Sequence, residues 1–379
     1  MTYDSTSLVG MLATAGIAGS SDVHLTANHP PLMRVDGDLV QIPGFTAPTG
    51  TNWLESALGG IMTNEQVSEF REHGEVDLSF SVPDVARFRV NVFRQLGDVA
   101  VALRFIPDKA FSLDQLGVPG IARDLVLKPR GLVLVTGPTG SGKSTTLTAM
   151  IDIVNRTLPA HIVTVEDPVE FQHTSRRSLI HQRQIGSDTR SFAEALRRVL
   201  RQDPDVILIG ELRDPASIST ALSAAETGHL VISTLHTQSA AKSINRIVDA
   251  FPPDQQTQVR TQLGDTLQGI ISQTLLPTAN GDGRVIATEV LVNTPAIANL
   301  IREGQVSQIY SMIQAGGSLG MHTLDQDLRR LVEDGSLSAT LAKAYATDPA
   351  SFDDIRVRRS GADGASWSMD AVESVGRAF

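Results

Sequence analysis

Apolar and polar positions alternate with period two in Arg87-Phe88-Arg89-Val90-Asn91-Val92, which puts Phe88, Val90 and Val92 on one face of a strand and Arg87, Arg89 and Asn91 on the other. With Phe80-Ser81-Val82 before it, a turn at Leu96-Gly97-Asp98 and the run Val99–Ile106 after it, this stretch predicts a hairpin. Leu32–Val35 and Leu39–Ile42, flanking Asp36-Gly37-Asp38, predict another. Residues 5–19 and 51–73 read as helices, the second carrying Leu54, Leu58, Ile61, Val67 and Phe70. Further along, short apolar runs at 131–136, 161–165, 205–211 and 230–234 read as buried strands, interleaved with helices at 143–155 and 191–201. Strands alternating with helices in this way predict a parallel α/β sheet.

From Ser239 the pattern becomes mostly helical, at 239–249 and 254–276, with a strand pair around Gly281-Asp282-Gly283. Thr294-Pro295, an N-cap followed by Pro at the first helical position, opens a helix over 295–303, and two more follow near 305–315 and 323–334. The expected organisation is an N-terminal α/β domain over 1–108, a linker over 109–129 with a short helix near 121–127, a nucleotide-binding domain over 130–352, and a polar, small-residue tail over 353–379 expected to be disordered.

Chemistry enters at residues 131–145. The strand there runs into Gly137-Pro138-Thr139-Gly140-Ser141-Gly142-Lys143-Ser144-Thr145, which fits G-x-x-x-x-G-K-[ST] at every fixed position and leads into a helix. Glycines let the backbone N–H groups turn inward toward a phosphate chain, and the helix N-terminus adds its positive end. Lys143 can reach the β- and γ-phosphates and the Ser144 hydroxyl can ligate Mg²⁺, so the chain is expected to bind a nucleoside triphosphate with Mg²⁺, which the resemblance given below makes ATP.

Three further positions end strands of the same sheet, where ligands of open α/β sheets gather. Glu211 follows the apolar strand 206–209, the position of a carboxylate that holds Mg²⁺ directly or through water, or polarises a water. Glu166 and Asp167 end the strand at 162–165; Glu166 is assigned to the chemistry, as a base for the attacking water, and Asp167 to support. His236 either senses the γ-phosphate or is a structural histidine. The arginines of the basic strand, with Arg94 and Arg104 nearby, are either a solvated face or charge offered to a phosphate.

Composition narrows the class. The chain of 379 residues is 41% hydrophobic and 20% charged, an ordinary globular balance, and no apolar run approaches the roughly 18 residues a bilayer span needs. Residues 1–19 do not read as an export signal, and with no cysteine there is neither disulfide nor thiolate metal site. A net charge of −10 and 4% aromatic residues count against a nucleic-acid coat or a single-strand stacking platform. No nucleic-acid partner and no membrane insertion are expected.

Gly137–Thr145, His161–Phe171, Asp203–Asp214 and Ala224–Thr237 resemble, in order, the Walker A, Asp box, Walker B and His box of the secretion-superfamily hexameric ATPases, and specifically the retraction ATPases of type IV pili. The likeness extends from Ser21-Asp22-Val23-His24-Leu25 to Gly316-Gly317-Ser318-Leu319-Gly320-Met321, about residues 20–335. It implies an N-terminal PAS-like α/β domain joined to a C-terminal RecA-like P-loop ATPase domain, a cytoplasmic homo-hexamer at the inner face of the cytoplasmic membrane, and an inner-membrane platform protein and related pilus ATPases as partners. It further implies Glu166 as general base, Glu211 as Walker B acid, His236 as the His-box residue, and Arg89 and Arg104 as N-terminal arginines that reach the phosphates. The rival readings are an assembly or secretion ATPase of the same superfamily, a divergent retraction paralogue, a nucleic-acid motor and a non-catalytic ring subunit. The assembly ATPases usually carry a four-cysteine zinc element that this chain lacks. One position departs from the retraction pattern: Ala298, in Ala296-Ile297-Ala298-Asn299-Leu300-Ile301-Arg302-Glu303, stands where the family has arginine.

Overall fold

The structure, a computed structural model, describes residues 7–353 apart from 36–37, 47–50, 84, 107–109 and 282. Asp36 and Gly37 of the expected hairpin turn, Asp282 of the second turn, the expected domain junction at 107–109 and the expected tail from 354 onward lie outside the described residues. Two sheets organise what is described.

The first sheet is antiparallel throughout, in the order β3-β2-β1-β6-β5-β4. Its strands are β1 (Asp22–Thr26), β2 (Leu32–Val35), β3 (Asp38–Gln41), β4 (Glu75–Val82), β5 (Ala86–Gln95) and β6 (Asp98–Ile106). Alternation decides its faces. Phe88, Val90 and Val92 are fully buried in a core with Leu12 and Leu54 of the covering helices, while Arg89 on the other face is exposed. The segment expected as one helix over 51–73 is two, Thr51–Gly59 and Asn64–His73. Gly59-Gly60 interrupts the first, and the Thr63 side chain caps the second in a reciprocal box with Gln66, satisfying donors a continuous helix would have used internally.

The second sheet runs β13-β12-β7-β11-β10-β8-β9, parallel except for the antiparallel β12/β13 pair. Its strands are β7 (Gly131–Thr136), β8 (His161–Glu166), β9 (Leu179–Gln184), β10 (Val206–Ile209), β11 (Leu230–Leu235), β12 (Leu267–Pro277) and β13 (Arg284–Val292). The apolar runs are uninterrupted because both faces are covered: Leu132, Leu134, Ile207 and Ile209 join one core, and Val133, Val135, Val206 and Leu208 the other.

The helix expected over 254–276 stops at Thr266, and the rest is β12. From Leu267 the chain is clamped between β7 and β13, and the close approach requires Gly269, where a Cβ would lie 2.8 Å from both Leu291 O and a Leu125 methyl. Tertiary clamping overrides a helical reading of Leu267–Leu276.

Candidate active site

Strands β7, β11, β10 and β8 are consecutive neighbours in the second sheet, so their C-terminal ends span only about 15 Å at the usual strand spacing. The glycine-rich loop leaves β7, His236 follows β11, Glu211 follows β10 and Glu166 closes β8. These groups line one cleft of about 760 Å³ with Thr139, Gly140, Gly142, Lys143, Ser144 and Thr145, while Arg89 and Arg104 reach it from the first sheet. Gly137, Pro138 and Ser141 of the same loop do not line it.

That loop folds tightly onto β12. A Cβ on Gly137, at φ 147°, would lie 2.2 Å from Gln273 O and 2.5 Å from Ser141 Oγ, so only glycine fits. The buried Gln273 ties the loop to the helix Lys143–Thr157: its Nε2 donates to Ser141 O (2.7 Å) and its Oε1 accepts from Thr146 Oγ1 (3.0 Å). Sequence reasoning missed Gln273 because it fell in the stretch read as helix. Lys143 Nζ donates to Gly137 O (2.9 Å) and Pro138 O (3.0 Å). Burial lowers the pKa of its ammonium, against the opposing pull of the Glu211 and Glu170 charges. An ammonium held on two loop carbonyls, with Ser141 Oγ buried and without a partner among the described residues, fits a triphosphate.

The Glu166 carboxylate accepts from Thr164 Oγ1 (2.5 Å) and Gln182 Nε2 (3.2 Å) on one oxygen. Burial pushes its pKa above the usual carboxylate range, more than those two hydrogen bonds pull it back. Glu211 is shared: Arg213 Nε donates to one oxygen (2.8 Å) and His236 Nε2 lies 3.2 Å from the other. Arg213 was not singled out in the sequence; its place two residues after the strand-ending acid was the available signal. His173, also in the cleft, is held near neutral by burial, its pKa lowered to about 4. A magnesium ion keeps several waters and takes few carboxylates plus phosphate oxygens, so the exposed Ser144 hydroxyl and one Glu211 oxygen are donors of the right hardness.

Arg89 and Arg104 are direct cross-strand partners on β5 and β6. Like charges placed opposite each other cost stability, so this pair is not explained by the needs of the sheet. Arg104 Nε is bound by Asp22 Oδ1 at 2.8 Å. Partial burial works against the Asp22 carboxylate, but hydrogen bonds from Arg104 and Ser21 outweigh it and lower its pKa. Among the described residues Arg89 has no ion-pair partner and faces the cleft.

Ala298 lies on the buried side of the helix Pro295–Arg302, its carbonyl 2.9 Å from where a Cβ of Gly264 would sit. Thr294 caps that helix and Arg302 pairs with Asp265 at 2.8 Å, so the helix forms with alanine in place of arginine.

The family described as "Type II/IV secretion system protein" matches residues 8–340. The type IV pilus retraction ATPase PilT of Pseudomonas aeruginosa is 50% identical over 342 residues, covering 90% of this chain and 98% of that protein. A twitching motility protein of Neisseria gonorrhoeae is 47% identical, covering 91% and 92% respectively. A crystal structure of the pilus retraction motor PilT with bound ADP superposes with a TM-score of 0.85 at 46% identity, covering 91% of this chain and 98% of that one.

Proposed function

We propose, because this chain belongs to the type II/IV secretion system protein family and is one of its ATPases, that it drives retraction of a type IV pilus as a cytoplasmic ring of six copies acting on an inner-membrane platform protein. The observation that carries this reading is the meeting of Arg89, without an ion-pair partner among the described residues, with the phosphate loop, Glu166, Glu211 and His236 in one cleft between two sheets. Such a cleft can couple chemistry to motion, because hydrolysis changes the charge that holds its two walls together. No helix among the described residues is long and apolar enough to cross a membrane.

In this reading Gly137–Thr145 cradle the phosphates and Lys143 leaves the loop carbonyls for the β- and γ-phosphate oxygens. Glu166 orients the attacking water and takes its proton. Arg89 and Arg104 neutralise charge on the transferred phosphoryl group. Glu211 is held by Arg213 and His236 so that it faces the triphosphate, and His236 responds to the γ-phosphate through that shared carboxylate. Bound Mg²⁺, on Ser144 and Glu211, would supply charge neutralisation at the phosphate oxygens. Residues 1–108 and 130–352 act as the two moving bodies.

Light scattering of the purified chain with ATP should give the mass of six copies. Lys143→Ala should keep that mass and lose about tenfold or more in nucleotide affinity, since a charge-assisted contact is worth roughly 1.5–3 kcal/mol. A monomer that turns over at full rate would overturn the ring, and parent affinity in Lys143→Ala would overturn the phosphate site.

A further inference from the structure

Beyond Glu166 the chain leaves β8 and runs along the cleft to His173, outside any strand or helix. Side chains of β9 hold this run in place. Gln182 Nε2 donates to Phe171 O at 2.8 Å as well as to Glu166, and its Oε1 accepts the His173 N–H at 2.8 Å. Gln184 Oε1 accepts the Val169 N–H at 3.3 Å. The parallel register sets Gln182 beside Thr164 and Gln184 beside Glu166, and the two-residue repeat of a strand puts both glutamines on one face.

Gln184 has a second partner, from the other sheet. Arg87 Nη2 donates to the same Oε1 at 3.2 Å and to Ser79 Oγ at 3.0 Å, and the Ser79 hydroxyl, also of the first sheet, donates to that Oε1 at 3.5 Å. Arg87 precedes Arg89 by two residues on β5, so the guanidinium that touches Gln184 shares a face with the one that faces the phosphate loop. One amide oxygen thus receives both the backbone of the Glu166 loop and the arginine face of the first sheet. The contact is separable: Arg87 Nε is buried with no partner among the described residues, so its hold on the second sheet passes through Nη2.

The geometry points to Gln184 as a positioning residue that ties the seating of the first sheet to the placement of the loop carrying Glu166, with Gln182 holding the carboxylate itself. Docking of the first sheet brings Arg89 to the phosphates and, through Gln184, fixes Val169 and the backbone next to Glu166. Parting of the sheets withdraws the arginine and loosens the base together, so ATP is not hydrolysed in the open cleft. This rests on the reading of Glu166 as base.

The test is steady-state ATP turnover by the full chain carrying Gln184→Leu, Arg87→Ala, both, or Gln184→Glu, alongside Glu166→Gln. Each of the first two should lower kcat about tenfold, the worth of one charge-assisted hydrogen bond, with the KM for ATP within about twofold of the parent. The double variant should be no worse than Gln184→Leu alone, because that substitution already removes the contact that Arg87→Ala breaks. Gln184→Glu, which keeps an acceptor for both partners, should restore most of kcat, and this separates positioning from a general loss of structure. Parent kcat in Gln184→Leu, multiplying effects in the double variant, or failure of Gln184→Glu to recover activity would each overturn the coupling. If Glu166→Gln itself turned over at the parent rate, the assignment of the base would fail instead.

Discussion

Glu166→Gln should lower ATP turnover by about 10²- to 10⁴-fold, the usual contribution of a positioned general base, while leaving nucleotide affinity within a few-fold. The substitution is a clean one here. Thr164 and Gln182 both donate to Oε1, and the glutamine carbonyl oxygen accepts the same two hydrogen bonds, so shape and loop anchoring are kept and only proton affinity is lost. The pH profile gives a second readout. A base acts when deprotonated, and burial raises the Glu166 pKa, so kcat should fall as pH drops through a value above that of an ordinary glutamate. That acid limb should be absent from the residual activity of Glu166→Gln. Parent turnover in the variant, measured as phosphate release, would remove Glu166 from the chemistry.

Arg89→Ala should cost about 10³-fold in kcat. An arginine supplied to a transferring phosphoryl group is worth about 10³–10⁵, and Arg104 on the adjacent strand keeps part of the positive field, which places the expectation at the lower end. Stability should move the other way or not at all. Arg89 is exposed and directly opposite a like charge, so removing it relieves a repulsion of about 0.2–1 kcal/mol. The urea midpoint should therefore stay level or rise slightly while turnover collapses. Unchanged turnover would return the basic strand to a solvated face, and a large drop in midpoint would mean that Arg89 holds the sheet together. Arg104 is the weaker probe, because Asp22 already offsets its charge.

Much of the site was legible in the sequence, for a physical reason. A strand covered on both faces must be apolar without interruption, so an acid placed directly after such a run stands out. Glu211, one residue past Val206–Ile209, and Glu166, next after Ile162–Val165 in which Thr164 alone is polar, come close to that pattern, and the structure brings both to the cleft with Lys143. Alternation separated Arg89 from Phe88 just as plainly.

What stayed hidden lacked an apolar signature. The edge strand β9, Leu-Ile-His-Gln-Arg-Gln, gives little hydrophobic period, so Gln182 and Gln184 went unnoticed although they hold the loop that follows Glu166. Gln273 sat inside Leu267–Pro277, where apolar residues satisfy a helical and an extended reading equally and only contact with β7 and β13 decides. The offsetting of Arg104 by Asp22 depends on a pairing between strands far apart in sequence, which no local pattern encodes.

The central claim, that this cleft powers pilus retraction, is tested most directly by counting surface pili and measuring twitching in cells whose chromosomal copy carries Glu166→Gln. The account predicts excess surface pili with twitching lost, because pili assemble and are not withdrawn. Bald cells would identify an assembly motor, and unchanged pili and motility would show that ATP hydrolysis by this chain does not drive the pilus; either result contradicts the account.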